Sequence, residues 1–204
     1  MSIATLGYTW SPTEGTDKLN EIIAQVNTLT AASTSLNGPT VLHPEYPGVV
    51  WSRYSPGTTY YGYGYQDEDD VPDAVNLGSG GRNCYVWTSA TGSQELAYGV
   101  LRWTLPPHFS SWDSTAAITV ELYTTDGTSA NELDVAVYQN TTARGSKTSQ
   151  TSSSTWGSVV FTSANITGGG WSAADVLSVQ FTMRASSTNE VRIGTVTLDW
   201  DGTL

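Results

Sequence analysis

The sequence predicts a mainly β protein: an eight-stranded antiparallel sandwich of jelly-roll type, preceded by a short N-terminal helix and an extended arm. Composition gives the first indication. Only 13% of the 204 residues are charged, while the chain holds 20 Gly, 11 Tyr and 8 Trp, a profile of strands and turns. The second is alternation at period two. Ile118/Val120/Leu122, Leu133/Val135/Val137 and Leu177/Val179/Phe181/Met183 are apolar on one face, and Ser178, Gln180, Thr182 and Arg184 take the other. The third is spacing: strand-like runs recur at 49–53, 84–88, 95–105, 117–124, 132–139, 158–162, 177–185 and 191–200. Antiparallel strands in such a series, with no helical pattern between the later ones, pack as two sheets.

Three segments follow along the chain: 1–36 with the helix, 37–82 as the arm, and 83–204 as the sandwich. In the first, Ser11-Pro12-Thr13-Glu14 has the form of a capping box with proline at the first helical position, and Gly15 shifts the cap toward Thr16 or Asp17. Leu19, Ile22, Val26 and Leu29 then follow a 3-4-3 spacing, with Leu36 on the same seam and Ile23 widening it. That stripe reads either as a short coiled coil that gathers copies of the chain or as an amphipathic helix packed on its own domain. Two heptads do not hold alone, so the coiled-coil reading needs the body to associate as well.

In the arm, Pro39, Pro44, Pro47, Pro56 and Pro72 interrupt any long element, leaving 49–53 as its one strand. Tyr60, Tyr61, Tyr63 and Tyr65 are interleaved with Gly62 and Gly64, just ahead of the acidic run at 67–73. The glycines let the backbone approach another surface and the rings supply contact area, which marks an interface arm. Within the sandwich, the apolar phase shifts from Val191/Ile193 to Val196/Leu198/Trp200 around Gly194, the place for a β-bulge. The stretch 140–156 is dominated by Thr, Ser and Gly and reads as a mobile hairpin loop. Pro106-Pro107-His108-Phe109-Ser110-Ser111-Trp112 reads as a rigid corner whose aromatics cap the sandwich.

Charge and cysteine exclude several classes of function. The formal net charge of −11 repels phosphate backbones and anionic headgroups, which disfavours nucleic-acid and membrane-surface roles. A lone cysteine, Cys84, forms no intrachain disulfide and no thiolate zinc site, and reads as a small core residue. Residues 1–8 lack the basic start and apolar run of a secretory signal, and no segment has the ~20 apolar residues that span a bilayer.

Catalytic motifs are missing. His43-Pro44-Glu45 matches half of a zinc-deaminase signature, but the cysteine pair that completes it is absent. The sequence holds no G-x-S-x-G elbow, P-loop, H-E-x-x-H or dinucleotide fingerprint, and Gly78-Ser79-Gly80-Gly81 reads as a turn. A glycosidase needs two carboxylates across a cleft; Glu95, Glu121, Glu132 and Asp134 lie on strands with no identifiable pairing. An EF-hand counted from Asp67 has Pro72 sixth and Gly78 twelfth, where glycine and glutamate are required. An irregular cation site built from Asp67, Asp69, Asp70 and Asp73 with backbone carbonyls stands beside the plainer reading of a solvated acidic turn. No cofactor is expected. Trp87, Trp103, Trp156, Trp171 and Trp200 fall on or near strands, where they either fill the core or stack on sugar rings. Asn140-Thr141-Thr142 and Asn165-Ile166-Thr167 match the glycosylation sequon, with no secretory signal to give that match meaning.

Leu42-His43-Pro44-Glu45-Tyr46-Pro47-Gly48-Val49-Val50-Trp51 and the corner at 105–112 give the chain a look that resembles small accessory virion proteins of tailed bacteriophages. The layout of helix, arm and Ser/Thr/Gly-rich β domain is similar to theirs as well. That resemblance implies a homotrimer that decorates a capsid or serves as a head or tail fibre, and it transfers no functional residue. The expected function is a non-enzymatic structural protein on the outer surface of a virus particle. Its partners would be copies of itself and the major capsid or another virion protein, its location the virion, and Leu19, Ile22, Val26 and Leu29 the axis seam. The alternative is a carbohydrate-binding or receptor-binding module, a fibre tip or adhesin, that presents aromatic rings to glycans.

Overall fold

In the computed structural model the chain is a two-sheet antiparallel β-sandwich. The structure describes residues 20–21, 23–25, 35–43, 49–52, 62–68, 83–89, 92–166 and 170–203. Among the described residues twelve strands run in order: β1 (Ser35–Leu42), β2 (Val49–Ser52), β3 (Gly62–Glu68), β4 (Asn83–Ser89), β5 (Glu95–Thr104) and β6 (Phe109–Trp112), then β7 (Ile118–Thr124), β8 (Glu132–Gln139), β9 (Thr142–Gln150), β10 (Gly157–Phe161), β11 (Val176–Ala185) and β12 (Glu190–Thr203). A 3-10 turn, Ser163–Ile166, follows β10. One sheet has five strands in the order β2-β5-β11-β8-β9; the other has seven, β10-β7-β12-β4-β3 with β1 and β6 also on β12.

All eight expected strand runs are present, and four strands were not expected. Three of the four have sequences that imitate turns. The arm contributes β1 and β3 besides β2, so it is more regular than its prolines and glycines imply. In β1, Gly38-Pro39 looks like a chain reversal, yet Pro39 lies opposite Asp199 and is exposed. Among the described residues β1 pairs only with β12, and an edge strand has no second neighbour waiting for the missing N–H. The supposed mobile loop at 140–156 contains β9, paired along β8 from Gln139↔Thr142 to Leu133↔Gln150. The corner at 105–112 includes β6, with Trp112 opposite Trp200.

β12 organises the larger sheet. Its first part runs between β7 and β4, its middle (196–198) between β7 and β1, and its last part between β1 and β6. The register slips between Ile193 and Val196, which is the bulge that the phase change in the sequence predicts. Val191 and Ile193 before it, and Val196 and Leu198 after it, are thereby all buried. Between the sheets lie Ile118, Val120 and Leu122 from β7, Leu133, Val135 and Val137 from β8, and Leu177, Val179, Phe181 and Met183 from β11. Each such side chain removed from water contributes about 1.5–3 kcal/mol. Cys84 is buried.

Candidate functional site

The end of the sandwich gathers four of the tryptophans, Trp103, Trp112, Trp171 and Trp200. Trp112 meets Phe109 edge-on at 5.0 Å and Trp171 at 5.4 Å. Trp103 lies 6.2 Å from Trp200, and His108 lies tilted 5.2 Å from the same ring. Trp200 Nε1 donates to Thr40 Oγ1 at 3.1 Å, tying β1 down, and Trp171 Nε1 donates to the Ile166 carbonyl at 3.0 Å. Trp87 is buried and donates to the Glu95 carbonyl at 3.1 Å. These rings cap and fill the core, as the corner sequence implies.

Trp156 is also taken up by packing. It lies 5.7 Å from Tyr123, whose other neighbour is the Arg192 guanidinium at 5.2 Å. The loop carrying it is pinned where Thr124 N donates to Ser152 Oγ (2.8 Å) and Ser152 N donates to Thr124 Oγ1 (3.0 Å). The surface that offers aromatic rings in an ordered array is elsewhere, on the outer face of the five-stranded sheet.

That face is built by alternation on three neighbouring strands. On β5, Ala97, Gly99 and Leu101 are buried while Tyr98 and Val100 are half-buried and Arg102 is exposed. On β11, Val179, Phe181 and Met183 point to the core, and Gln180 is exposed with Thr182 and Arg184 beside it. On β8, Val135 and Val137 are buried, and Asp134, Ala136 and Tyr138 lie on the outer side. The registers fix the rows: Tyr98–Thr182–Asp134, then Val100–Gln180–Ala136, then Arg102–Ser178–Tyr138. Tyr98, Gln180 and Tyr138 therefore lie on one diagonal, an amide midway between two phenol rings. With strands about 4.8 Å apart and about 3.4 Å of rise per residue, the two tyrosines stand about 17 Å apart. Ala136 and Ser178 lie between Gln180 and Tyr138, Val100 and Thr182 lie between Gln180 and Tyr98, and Gln180 itself is exposed.

The charges of this face are paired at one end. Arg184 bridges Glu132 Oε1 at 3.2 Å and Asp134 Oδ2 at 2.5 Å, joining β11 to β8. Burial pushes the Asp134 carboxyl up, but the hydrogen bonds from Arg184 and from the Ser149 N–H outweigh it and hold the group below its ordinary value. The Asp134 hydrogen bond in turn raises Arg184, against its own burial.

Three of the four carboxylates weighed for a catalytic pair make contacts within the fold. Glu132 and Asp134 are held by Arg184, and Glu121 Oε2 accepts from the Thr195 N–H at 3.0 Å and hydroxyl at 2.7 Å. Among the described residues no group of three or more His, Cys, Asp and Glu gathers as a metal site. Asp67 lies on β3 opposite Cys84, while Asp69, Asp70 and Asp73 fall outside the described residues. Tyr63 and Tyr65 belong to β3, in register with Thr88 and Val86. Tyr60, Tyr61 and the seam residues Leu19, Ile22, Val26 and Leu29 also fall outside. The sequon residues are engaged locally: Asn140 Nδ2 donates to Asp175 Oδ1 at 2.9 Å, and Asn165 Oδ1 accepts from the Thr162 N–H at 3.0 Å.

Sequence reasoning turned Gln180 outward but passed over Tyr98 and Tyr138. The signal was available, since both tyrosines sit out of phase with the buried residues of their strands. Linking them needs the pairing order β5-β11-β8, which alternation alone does not contain.

No protein-family model matches the chain, and no curated protein matches it. Among solved structures, the enzymatically active domain of tailspike protein 4 from bacteriophage CBA120 overlays with a TM-score of 0.43 at 9% identity, covering 78% of this chain and 20% of that one. The family 11 carbohydrate-binding module from Clostridium thermocellum, in complex with a mixed-linked tetrasaccharide, gives 0.45 at 13% identity over 80% of this chain and 96% of that one. TmCBM61, in complex with β-1,4-galactotriose, gives 0.41 at 8% identity over 79% of this chain and 88% of that one. The chain spans about a fifth of the tailspike domain's length, and none of these overlaps assigns a ligand or a reaction to it.

Proposed function

We propose that this chain is a non-catalytic carbohydrate-binding or receptor-binding β-sandwich module, and that it holds a glycan on the outer face of the five-stranded sheet. The observation that carries this is the diagonal Tyr98–Gln180–Tyr138 set by the strand registers. Phenol rings offer flat apolar area to the CH face of a sugar at little entropic cost, and an exposed amide both donates to and accepts from hydroxyls. The engagement of Glu121, Glu132 and Asp134 in structural contacts supports binding without turnover. Affinity electrophoresis through gels containing neutral polysaccharides tests the assignment. The native chain should be retarded by at least one of them, and a Tyr98→Ala/Tyr138→Ala double variant should migrate freely. Equal retardation of both proteins would reject this face.

A second reading, a trimeric decoration or fibre protein on the outside of a virion, has one observation in its favour. Ile23, among the helical residues 20–21 and 23–25, is 48% exposed, and an oligomer seam would cover such a side chain. Mass measurement in solution tests it: a trimer that Ile22→Asp/Val26→Asp dissociates supports the reading, and a monomeric native chain at micromolar concentration opposes it.

A further inference from the structure

The geometry points to the class of glycan: an uncharged linear polysaccharide, bound along its length across at least three sugar units rather than at one end. The inference rests on the reading of the outer face as a glycan platform and concerns what that platform selects.

Length follows from the two rings. Tyr98 and Tyr138 stand on β5 and β8, with β11 between them. A ligand that stacks on both while passing Gln180 covers about 17 Å, roughly three to four sugar rings. A monosaccharide or disaccharide reaches one ring and the amide but never both rings. Stacking contributions at two ends of one ligand combine, because the second contact is made within an already bound chain.

Charge follows from the face and from the whole chain. The diagonal itself is uncharged. Among the described residues its charged neighbours are two arginines and two carboxylates, and Arg184 bridges both Glu132 and Asp134, which leaves that end with an excess of negative charge. Arg102 lies at the opposite corner, exposed, in the row of Ser178 and Tyr138. It offers one guanidinium, which can donate to sugar hydroxyls as well as to an acid. A polyanion would gain that single contact and meet the field of a chain with net charge −11, which opposes its approach. A neutral chain pays no such cost.

Isothermal titration of the full chain tests both statements. The probes are neutral gluco-, galacto-, manno- and xylo-oligosaccharides of graded length, and a polyuronate. For the neutral series that binds, affinity should rise steeply up to roughly three to four units and then level off. Tyr98→Ala and Tyr138→Ala should each weaken the longer ligands by about tenfold while leaving the disaccharide within about threefold. The dissociation constant should stay within about twofold as salt is raised through the screening range. Tighter binding of the polyuronate, lost in Arg102→Ala and weakened by salt, would overturn the neutral class while leaving the face as a glycan site. A plateau already at the disaccharide would overturn the length. Failure of every sugar to bind would overturn the site itself along with this inference.

Discussion

Glu121 on β7 holds the bulge of β12 by accepting both the N–H and the hydroxyl of Thr195, at 3.0 and 2.7 Å. The bulge lets β12 keep apolar side chains on one face before and after Gly194, and it falls where β12 passes from β4 to β1. Replacing Glu121 with Ala leaves two donors without their partner in a half-buried position. The expected loss is about 1–2 kcal/mol in urea unfolding, with Glu121→Gln losing less because one acceptor remains. An unchanged midpoint in Glu121→Ala would show that the bulge holds without this carboxylate.

Gly194 is required at that bulge by space. A Cβ there would stand 2.7 Å from Glu121 Oε2, 3.0 Å from Glu121 Cβ and 3.1 Å from Trp156 Cζ3. Gly194→Ala should therefore destabilise by about 1–3 kcal/mol through overpacking and blue-shift or quench differently the Trp156 emission. Stability equal to the parent would mean that β12 is not bulged here.

Gly145 marks the strand that composition concealed. A Cβ at this position of β9 would collide with the Asn165 carbonyl oxygen in the 3-10 turn that crosses it. Backbone cannot give way as a side-chain tip can, so Gly145→Ala should cost more than 2 kcal/mol, about the upper range of overpacking. Hydrogen exchange should show lost protection at 142–150 first, since β9 is the sheet's edge. A silent substitution would return this stretch to a loop.

Arg184 links stability to pH. Its carboxylate partner Asp134 is held below its ordinary value, so the pair stabilises the fold above about pH 4, the ordinary carboxylate range, and the contribution is lost as pH falls through the lowered value. Arg184→Met leaves Glu132 and Asp134 together without a cation. At neutral pH it should cost about 1–2 kcal/mol, moderated because these side chains are partly exposed. Protonation of the stranded carboxylates relieves that cost, so the gap between variant and native chain should narrow below about pH 4. A gap that widens on acidification would contradict the pairing.

The sandwich was legible wherever buried and outward residues alternate. Leu177 to Met183 and Leu133 to Val137 announce their strands, and Val191 to Trp200 even shows its bulge, because burial acts on every second residue. β9 was not legible: Thr142 to Gln150 is an edge strand with few apolar side chains to alternate, and its glycine answers to a turn distant in sequence. β1 was hidden by Gly38-Pro39, which reads as a break until the strand is known to lie at an edge. The candidate site was half legible. The outward phase of Gln180 is local information, whereas its position between Tyr98 and Tyr138 is a property of strand order.

The central claim is that glycan binds along Tyr98, Gln180 and Tyr138. Titrating isotope-labelled protein with the neutral oligosaccharide that binds best, and following the backbone amides and the Gln180 side-chain amide by NMR, tests it most directly. The expected shifts are concentrated on 98–102, 134–138 and 178–184, with the Gln180 side-chain amide among the largest. Shifts confined to Tyr123 and Trp156 on the other sheet, or to the Trp103–Trp112–Trp200 cluster, would contradict it.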